Sequence, residues 1–398
     1  MSVFSGVIPG GTRVNPDPSG AGSKTGKTMR RIAFHLNCLT HGGAERVVTN
    51  LAGMFADEGY ETIVATEWVD ENEYPLNPKV RRVHVGLTEQ DENRGRLAKI
   101  RIRERNLHRF LLTEKPDVLV SFAIKANYRA LAACRGTGVP VVISVRIDPV
   151  AFYSGPVNSL MIRLLFDRAS GAVFQTPDAK AFFAPHLQDN SVIIVNPITQ
   201  KYIDVPTPDK RTRTIVNVGR LVDFKNQTML VRAFARLAPE FPDYILRIYG
   251  PDSGDGSKES IEQAIHDCRL EHRVFLMGDC STLEREIADA AVFAFSSDYE
   301  GMPNALMEAM AMGLPVVATD CRPGAARMLI RDKENGQLVP VGDPDAMAQA
   351  IRRYLNDPAF AKRCGDAARA IRNIANTRTV YEQWRDYLES ITEHGKTN

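Results

Sequence analysis

Residues 292–324 read VFAFSSDYEGMPNALMEAMAMGLPVVATDCRPG, and the rest of the chain is best understood outward from them. An apolar strand over 292–295 runs into a polar turn and Glu300. A loop with Gly301 and Pro303 follows, then a helix carrying Glu308, then Gly313, Pro315 and a second buried strand. Such a loop-to-helix junction presents free backbone N–H groups and the positive end of a helix dipole. It is a natural seat for phosphate. A carboxylate on either side does not serve the phosphate, because like charges repel; it suits hydroxyl groups, whose hydrogen bonds it accepts. A ligand with hydroxyls at both ends and phosphates between them is a nucleotide-sugar. The plainer alternative is a solvated Glu pair near a helix start, favoured by the dipole.

The size and composition fit that reading. A chain of 398 residues exceeds one hydrophobic core and suggests two domains. A formal net charge of +2 gives no global sign of nucleic-acid binding, and no nucleic-acid partner is expected. The six cysteines (Cys38, Cys134, Cys268, Cys280, Cys321, Cys364) are scattered without C-x-x-C spacing. That fits reduced thiols and a cytoplasmic protein, and argues against disulfides or zinc. No apolar run is long enough to span a bilayer, and the N-terminus lacks a signal-peptide core.

From residue 31 onward, strand-like runs alternate with amphipathic helices, the pattern of parallel sheets with helices on both faces. Strands are expected over 31–37, 62–66, 80–85, 117–122, 139–145, 172–175 and 191–195. After Asn196-Pro197 and a polar stretch the pattern restarts, with strands over 214–218, 244–249, 273–277, 292–295 and 315–319. Two doubly wound domains follow, residues 29–197 and 198–378, and ligands belong in the cleft at the carboxyl ends of their strands. Residues 1–28 are Gly-, Pro- and Ser-rich and read as a disordered tail, with Met29 as the natural start. Within them AGSKTGKT (21–28) fits a loose P-loop pattern but lacks the strand before it and the helix after it.

Three further constellations carry chemistry. The strand over 214–218 ends in Gly219-Arg220, with Lys225 five residues on, and two cations at the cleft suit a diphosphate. The first strand runs into Thr40-His41-Gly42-Gly43-Ala44-Glu45-Arg46, where the glycine pair allows a ligand close to the backbone. His41 is either a base or merely a solvated loop histidine. Third, Arg94, Arg96, Lys99, Arg101, Arg103, Arg105 and Arg109 crowd one segment (94–112), with Leu97, Ile100, Leu107, Phe110 and Leu111 at mostly helical spacing. It reads as a helix resting on an anionic membrane surface or holding an acidic acceptor, or as an ordinary core-facing helix with a charged outer side. The D-x-D at Asp343-Pro344-Asp345 looks like a helix start, not a metal site.

The EGMPNALMEAMAMG block with Glu300 and Glu308, together with GRLVDFKNQ, resembles the E-x7-E element and cationic loop of the retaining glycosyltransferases of family 4. The GGAER loop and VRIDP (145–149) resemble the branch building cell-surface polysaccharides and lipid-linked oligosaccharides, with N-acetylgalactosaminyltransferases among them. The resemblance spans residue 31 to the C-terminal helix. It implies a GT-B fold, two Rossmann-like α/β domains around a cleft, with a final helix (about 379–398) crossing back to the first domain. It implies transfer of a hexosyl or N-acetylhexosaminyl unit from a nucleotide diphosphate sugar, UDP-linked, to a glycan or polyprenyl-diphosphate-linked acceptor, with retention and without metal or cofactor. A peripheral position on the inner membrane face goes with such an acceptor. Glu300, Arg220 and Lys225 take the catalytic roles. Donor contacts are implied for Gly43, Arg220, Lys225, Glu300, Gly301, Met302, Pro303, Asn304, Ala305 and Glu308, with Glu300 at the sugar and Glu308 at the ribose. Gly42, His41 and Arg146 are acceptor-side candidates, Arg146 being also a candidate for a structural ion pair with Asp148. Many relatives carry a His after the strand at 117–122; here Ser121, Phe122 and Ala123 stand instead, which leaves the acceptor-side helper open. A nucleotide-sugar epimerase of similar fold and a non-catalytic nucleotide-sugar-binding subunit are the rival readings.

Overall fold

A computed structural model of the chain describes residues 29–40 and 42–394. The expectations for residues 1–28, including AGSKTGKT, and for His41 lie outside the described residues. The first sheet is wholly parallel: β1 (Arg31–Leu36), β2 (Glu61–Thr66), β3 (Arg81–His84), β4 (Val118–Phe122), β5 (Val141–Ser144), β6 (Gly171–Phe174) and β7 (Ser191–Ile193). The second, also parallel, holds β8 (Thr214–Val218), β9 (Ile245–Tyr249), β10 (Val274–Gly278), β11 (Val292–Phe295), β12 (Val316–Thr319) and β13 (Gln337–Val339). Strands covered by helices on both faces are buried on both, so they read as continuous apolar runs. VLVSF in β4, VFAF in β11 and VVAT in β12 are buried at every position.

The spatial orders are β3-β2-β1-β4-β5-β6-β7 and β10-β9-β8-β11-β12-β13. Each reverses direction once, between β1 and β4 and between β8 and β11, and ligands bind at the carboxyl side of such switch points. The four loops leaving β1, β4, β8 and β11 therefore define the site. Among the described residues, the one strand absent from the sequence reading is β13, a three-residue edge strand whose first residue, Gln337, interrupts the apolar run.

The last helix, Thr377–His394, leaves the second sheet's domain and packs against the first. Tyr381, Trp384 and Leu388 recur at helical spacing and are all fully buried. Trp384 stacks on Phe122 of β4 at 5.7 Å, and Tyr381 meets Phe55 edge-on at 4.9 Å. The Tyr60 hydroxyl donates to Glu389 at 2.6 Å. Trp384→Ala removes the largest of these rings, and truncations of that size cost about 3–5 kcal/mol. Urea unfolding of wild type and variant should show a loss of that order; a loss near zero means that the ring does not fasten the helix.

Candidate active site

The loop leaving β8 is built by local contacts. Residues Asp223–Lys225 make one 3-10 turn, and Asn226, in the left-handed region at φ 48°, caps the helix Gln227–Leu237 by accepting from the Met229 N–H at 3.2 Å. Its amide donates to Asp298 at 2.8 Å, and Ser296 donates to the Lys225 carbonyl at 2.8 Å. Phe224 stacks on Tyr299 at 4.9 Å. The loops after β8 and β11 are thus one unit, and on it the Lys225 ammonium rests directly on the Glu300 carboxylate. Glu300 also accepts from Ser297 at 3.2 Å. Arg220 stands exposed on the same wall.

Beyond Glu300 the chain enters the helix Asn304–Met312, with Pro303 at its N-cap and Gly313, at φ 77°, at its C-cap. Glu308 is buried inside this helix. Burial pushes its carboxyl upward; Arg46 opposes that at 3.1 Å, reaching across from the helix Gly43–Asp57. Gly42 caps that helix, and a Cβ there would strike the Glu45 side chain, which folds back over it. Burial raises Glu45 too, against the fields of Arg220 and Arg146. Gly43 faces the Asn304 amide, which a Cβ would meet at 3.4 Å.

The seam between the domains is polar. Asn196 donates to Asn304 at 2.6 Å and receives Gln175 at 2.6 Å and Arg146 on its own amide oxygen. Gly301 lies so close to the Arg146 carbonyl that a Cβ would come within 2.2 Å of it. The space enclosed is about 810 Å³, within the range of a pocket for a sizeable organic ligand. Beside it a second cavity of about 360 Å³ is ringed by Arg94, Arg96, Lys99, Arg103, Lys125 and Arg129, and Lys125 lines both. Buried Glu67, just past β2, anchors Arg103 at 3.2 Å and Arg129 in direct contact. Burial and Arg129 push His35 down to about 3, so it stays a neutral imidazole.

Residues 41–199 match the model of the family described as Glycosyltransferase Family 4, and residues 199–371 match Glycosyl transferases group 1. The chain is a glycosyltransferase of the GT-B type, its first part matching family 4 and its second group 1. It is similar to a Campylobacter jejuni enzyme, N-acetylgalactosamine-N,N'-diacetylbacillosaminyl-diphospho-undecaprenol 4-alpha-N-acetylgalactosaminyltransferase. The two are 28% identical over 373 residues, 88% of this chain and 95% of that one. A second C. jejuni protein, an alpha-1,4-N-acetyl-D-galactosaminyltransferase acting on a diNAcBac-PP-undecaprenol-linked glycan, is 23% identical over 91% of this chain and 99% of its own. Among solved structures, Anabaena HepE in complex with UDP and glucose has a TM-score of 0.76 at 19% identity, covering 91% of this chain and 100% of that one.

In the glycosyltransferase, every donor-side residue named from the sequence lines the cleft: Gly43, Arg220, Lys225, the run 300–305 and Glu308. Gly42 and Arg146 line it as well. The alternative ion pair between Arg146 and Asp148 does not form. Arg146 turns to Asn196, and burial pushes it down to about 9, while Asp148 caps Val150 at 3.0 Å and faces Arg322 at 3.8 Å. Asp343 is a helix cap, accepting from Ala346 at 2.8 Å. Sequence reading missed Gln175, Asn196 and the partnership of Arg46 with Glu308. Asn196 was legible only as the start of a linker, and nothing local in the chain couples 46 to 308.

The role that the sequence implies for Lys225, neutralising a departing diphosphate, is tested by Lys225→Ala. Losing one such stabiliser costs about 3 kcal/mol of barrier, on the order of 100-fold in rate. Steady-state turnover should fall by that factor in protein that circular dichroism shows still folded; near-normal turnover refutes the assignment.

Proposed function

We propose that this glycosyltransferase moves a hexosyl or N-acetylhexosaminyl unit from a UDP-sugar to a glycan carried on a polyprenyl diphosphate, with retention of anomeric configuration. One observation carries the donor half: a single cleft wall presents Arg220 and a Lys225–Glu300 pair beside the buried carboxylate of Glu308. The cations meet the diphosphate, Glu300 meets the sugar hydroxyls and Glu308 shares its oxygens between the ribose and Arg46. As the bond from the sugar's anomeric carbon to the donor phosphate breaks, the acceptor hydroxyl bonds to that carbon on the same face. Its proton passes to the departing phosphate oxygen. No covalent enzyme intermediate is required, and rate comes from positioning and charge stabilisation.

The acceptor half is supported by the basic cavity that adjoins the cleft at Lys125, a place for the diphosphate of an anionic acceptor. The activities of the two Campylobacter relatives, both on diphospho-undecaprenol-linked glycans, support the same reading. The 94–112 segment, whose helix spans Arg96–Glu114, would then lie toward an anionic membrane surface. Among the described residues no helix is long and apolar enough to cross a membrane. The deciding experiment incubates the protein with UDP-sugars, with and without a polyprenyl-diphosphate glycan in detergent. Sugar transfer only in its presence supports the reading. A changed nucleotide-sugar without acceptor favours an epimerase, and no turnover favours a binding subunit.

The two glutamates separate by what changes during reaction. The ribose does not change, so Glu308→Gln should mainly raise donor KM and weaken UDP binding. The sugar ring gains positive charge, so Glu300→Gln should mainly lower kcat and leave UDP affinity intact. A hydrogen bond to a charged group contributes roughly 1.5–3 kcal/mol, large enough for calorimetric titration of UDP to resolve. Equal losses in both variants overturn the roles.

Two side-chain cations at the diphosphate make a divalent ion and any cofactor unnecessary in this scheme. Activity should survive EDTA; complete loss, restored by manganese, reveals a metal in the reaction.

A further inference from the structure

Residues 149–166 contain no carboxylate and turn large apolar side chains outward. In the helix Pro156–Leu165 only Leu165 is buried, whereas Val157, Leu160 and Leu164 are 72%, 55% and 56% exposed. Their spacing of three and four residues puts them on one stripe. Val150 and Phe152, just before the helix, are exposed as well. Scattered single apolar residues are ordinary on a surface; five within fifteen residues form a patch that has to meet something.

Charge and position say what it meets. Arg163 on the same helix and Arg168 just after it are exposed, and the one carboxylate beside them, Asp167, is paired with His186 at 2.9 Å. The helix Ile124–Ala133 packs between this helix and the basic helix Arg96–Glu114, whose Leu97 and Ile100 are also exposed. An apolar stripe flanked by cations is the pattern of a helix lying in an anionic lipid interface. A second copy fits less well, because a two-fold contact that buries the stripe also brings the Arg163 and Arg168 of both copies together. Phe152 also lines the cleft, with its ring edge-on to Tyr299 at 6.1 Å. The patch therefore begins at the mouth of the active site.

We propose that the Pro156–Leu165 helix inserts Val157, Leu160 and Leu164 into the surface of an anionic bilayer, holding the cleft mouth at headgroup level. The proposal rests on the lipid-linked acceptor reading for its purpose, not for its test. The full-length protein is floated with phosphatidylcholine vesicles with and without phosphatidylglycerol, as wild type and as Val157→Ser/Leu160→Ser/Leu164→Ser. The wild type should bind the phosphatidylglycerol vesicles, and the triple variant roughly tenfold or more weakly, with the same melting curve and UDP affinity. Leu160→Trp, which keeps the site apolar, should show quenching of its added emission by brominated lipid. Vesicle binding of the triple variant equal to wild type, or added emission that brominated lipid leaves unquenched in the Leu160→Trp variant, overturns the proposal. So does a wild-type dimer that the triple variant converts to monomer, which gives the stripe to a second copy. Inactivity on the polyprenyl-diphosphate glycan in detergent, with vesicle insertion as expected, sinks the acceptor reading and leaves this one standing.

Discussion

A cation held away from water needs a counter-charge, and the cleft is organised around that requirement. Lys225 rests on Glu300 and Arg46 on Glu308. In the function proposed above, a diphosphate would give Lys225 a second partner and free Glu300 to accept from sugar hydroxyls. Binding then exchanges one set of charge pairs for another, and neither lysine nor glutamate is left buried and unmatched. Such a site is set before the reaction begins, which is where electrostatic catalysis gains most. Arg46 gives the second pair another consequence: it belongs to the first domain and Glu308 to the second, so the pair closes the cleft from side to side.

That closure depends on backbone contact as much as on charge. Gly301 lies against the Arg146 carbonyl with no room for a Cβ, so the EGMPN loop seats on the first domain. The chain of Arg146 and Gln175 onto Asn196, and Asn196 onto Asn304, ties the first turn of the donor helix to the same place. The glycine expected to lie near the donor therefore also serves the seam. The sequence supplied only the first reason for a glycine at that position.

What was legible follows the range of the forces involved. Doubly buried parallel strands declare themselves as apolar runs, and 214–218 and 292–295 were bounded to the residue. Lys225 and Glu300 were legible because both stand just beyond strands at a switch point. The interdomain partners were not, since 46 meets 308 and 196 meets 304 only through the tertiary fold. The basic segment was legible as a helix but not as two populations. Arg101, Arg105 and Arg109 face solvent, whereas Arg96, Lys99 and Arg103 turn to the cavity they share with Lys125 and Arg129. The helix Pro156–Leu165 is apolar enough to pass for a core element by sequence, and only its exposure shows otherwise.

The helix Ile124–Ala133 joins these surfaces to the chemistry. Its N-cap, Ala123, has φ 74° and ψ 151°, a region that side chains rarely enter and that costs about 1–3 kcal/mol. Strain of that size persists only where the surroundings fix the backbone, and here it turns the chain leaving β4 sharply, so that Ala123, Ile124 and Lys125 all line the cleft. Six cations ring the adjoining cavity against the carboxylates of Asp91, Glu92 and Glu67, leaving three positive charges formally in excess. That excess more than covers the two negative charges of a diphosphate esterified at both ends, as the proposed acceptor's is. One short helix thus meets the cleft at its first turn, the basic helix on one side and the apolar helix on the other. For an anchored acceptor of the kind proposed above, whatever seats those two helices would also set its reach from the anchor, by the same packing that builds the site.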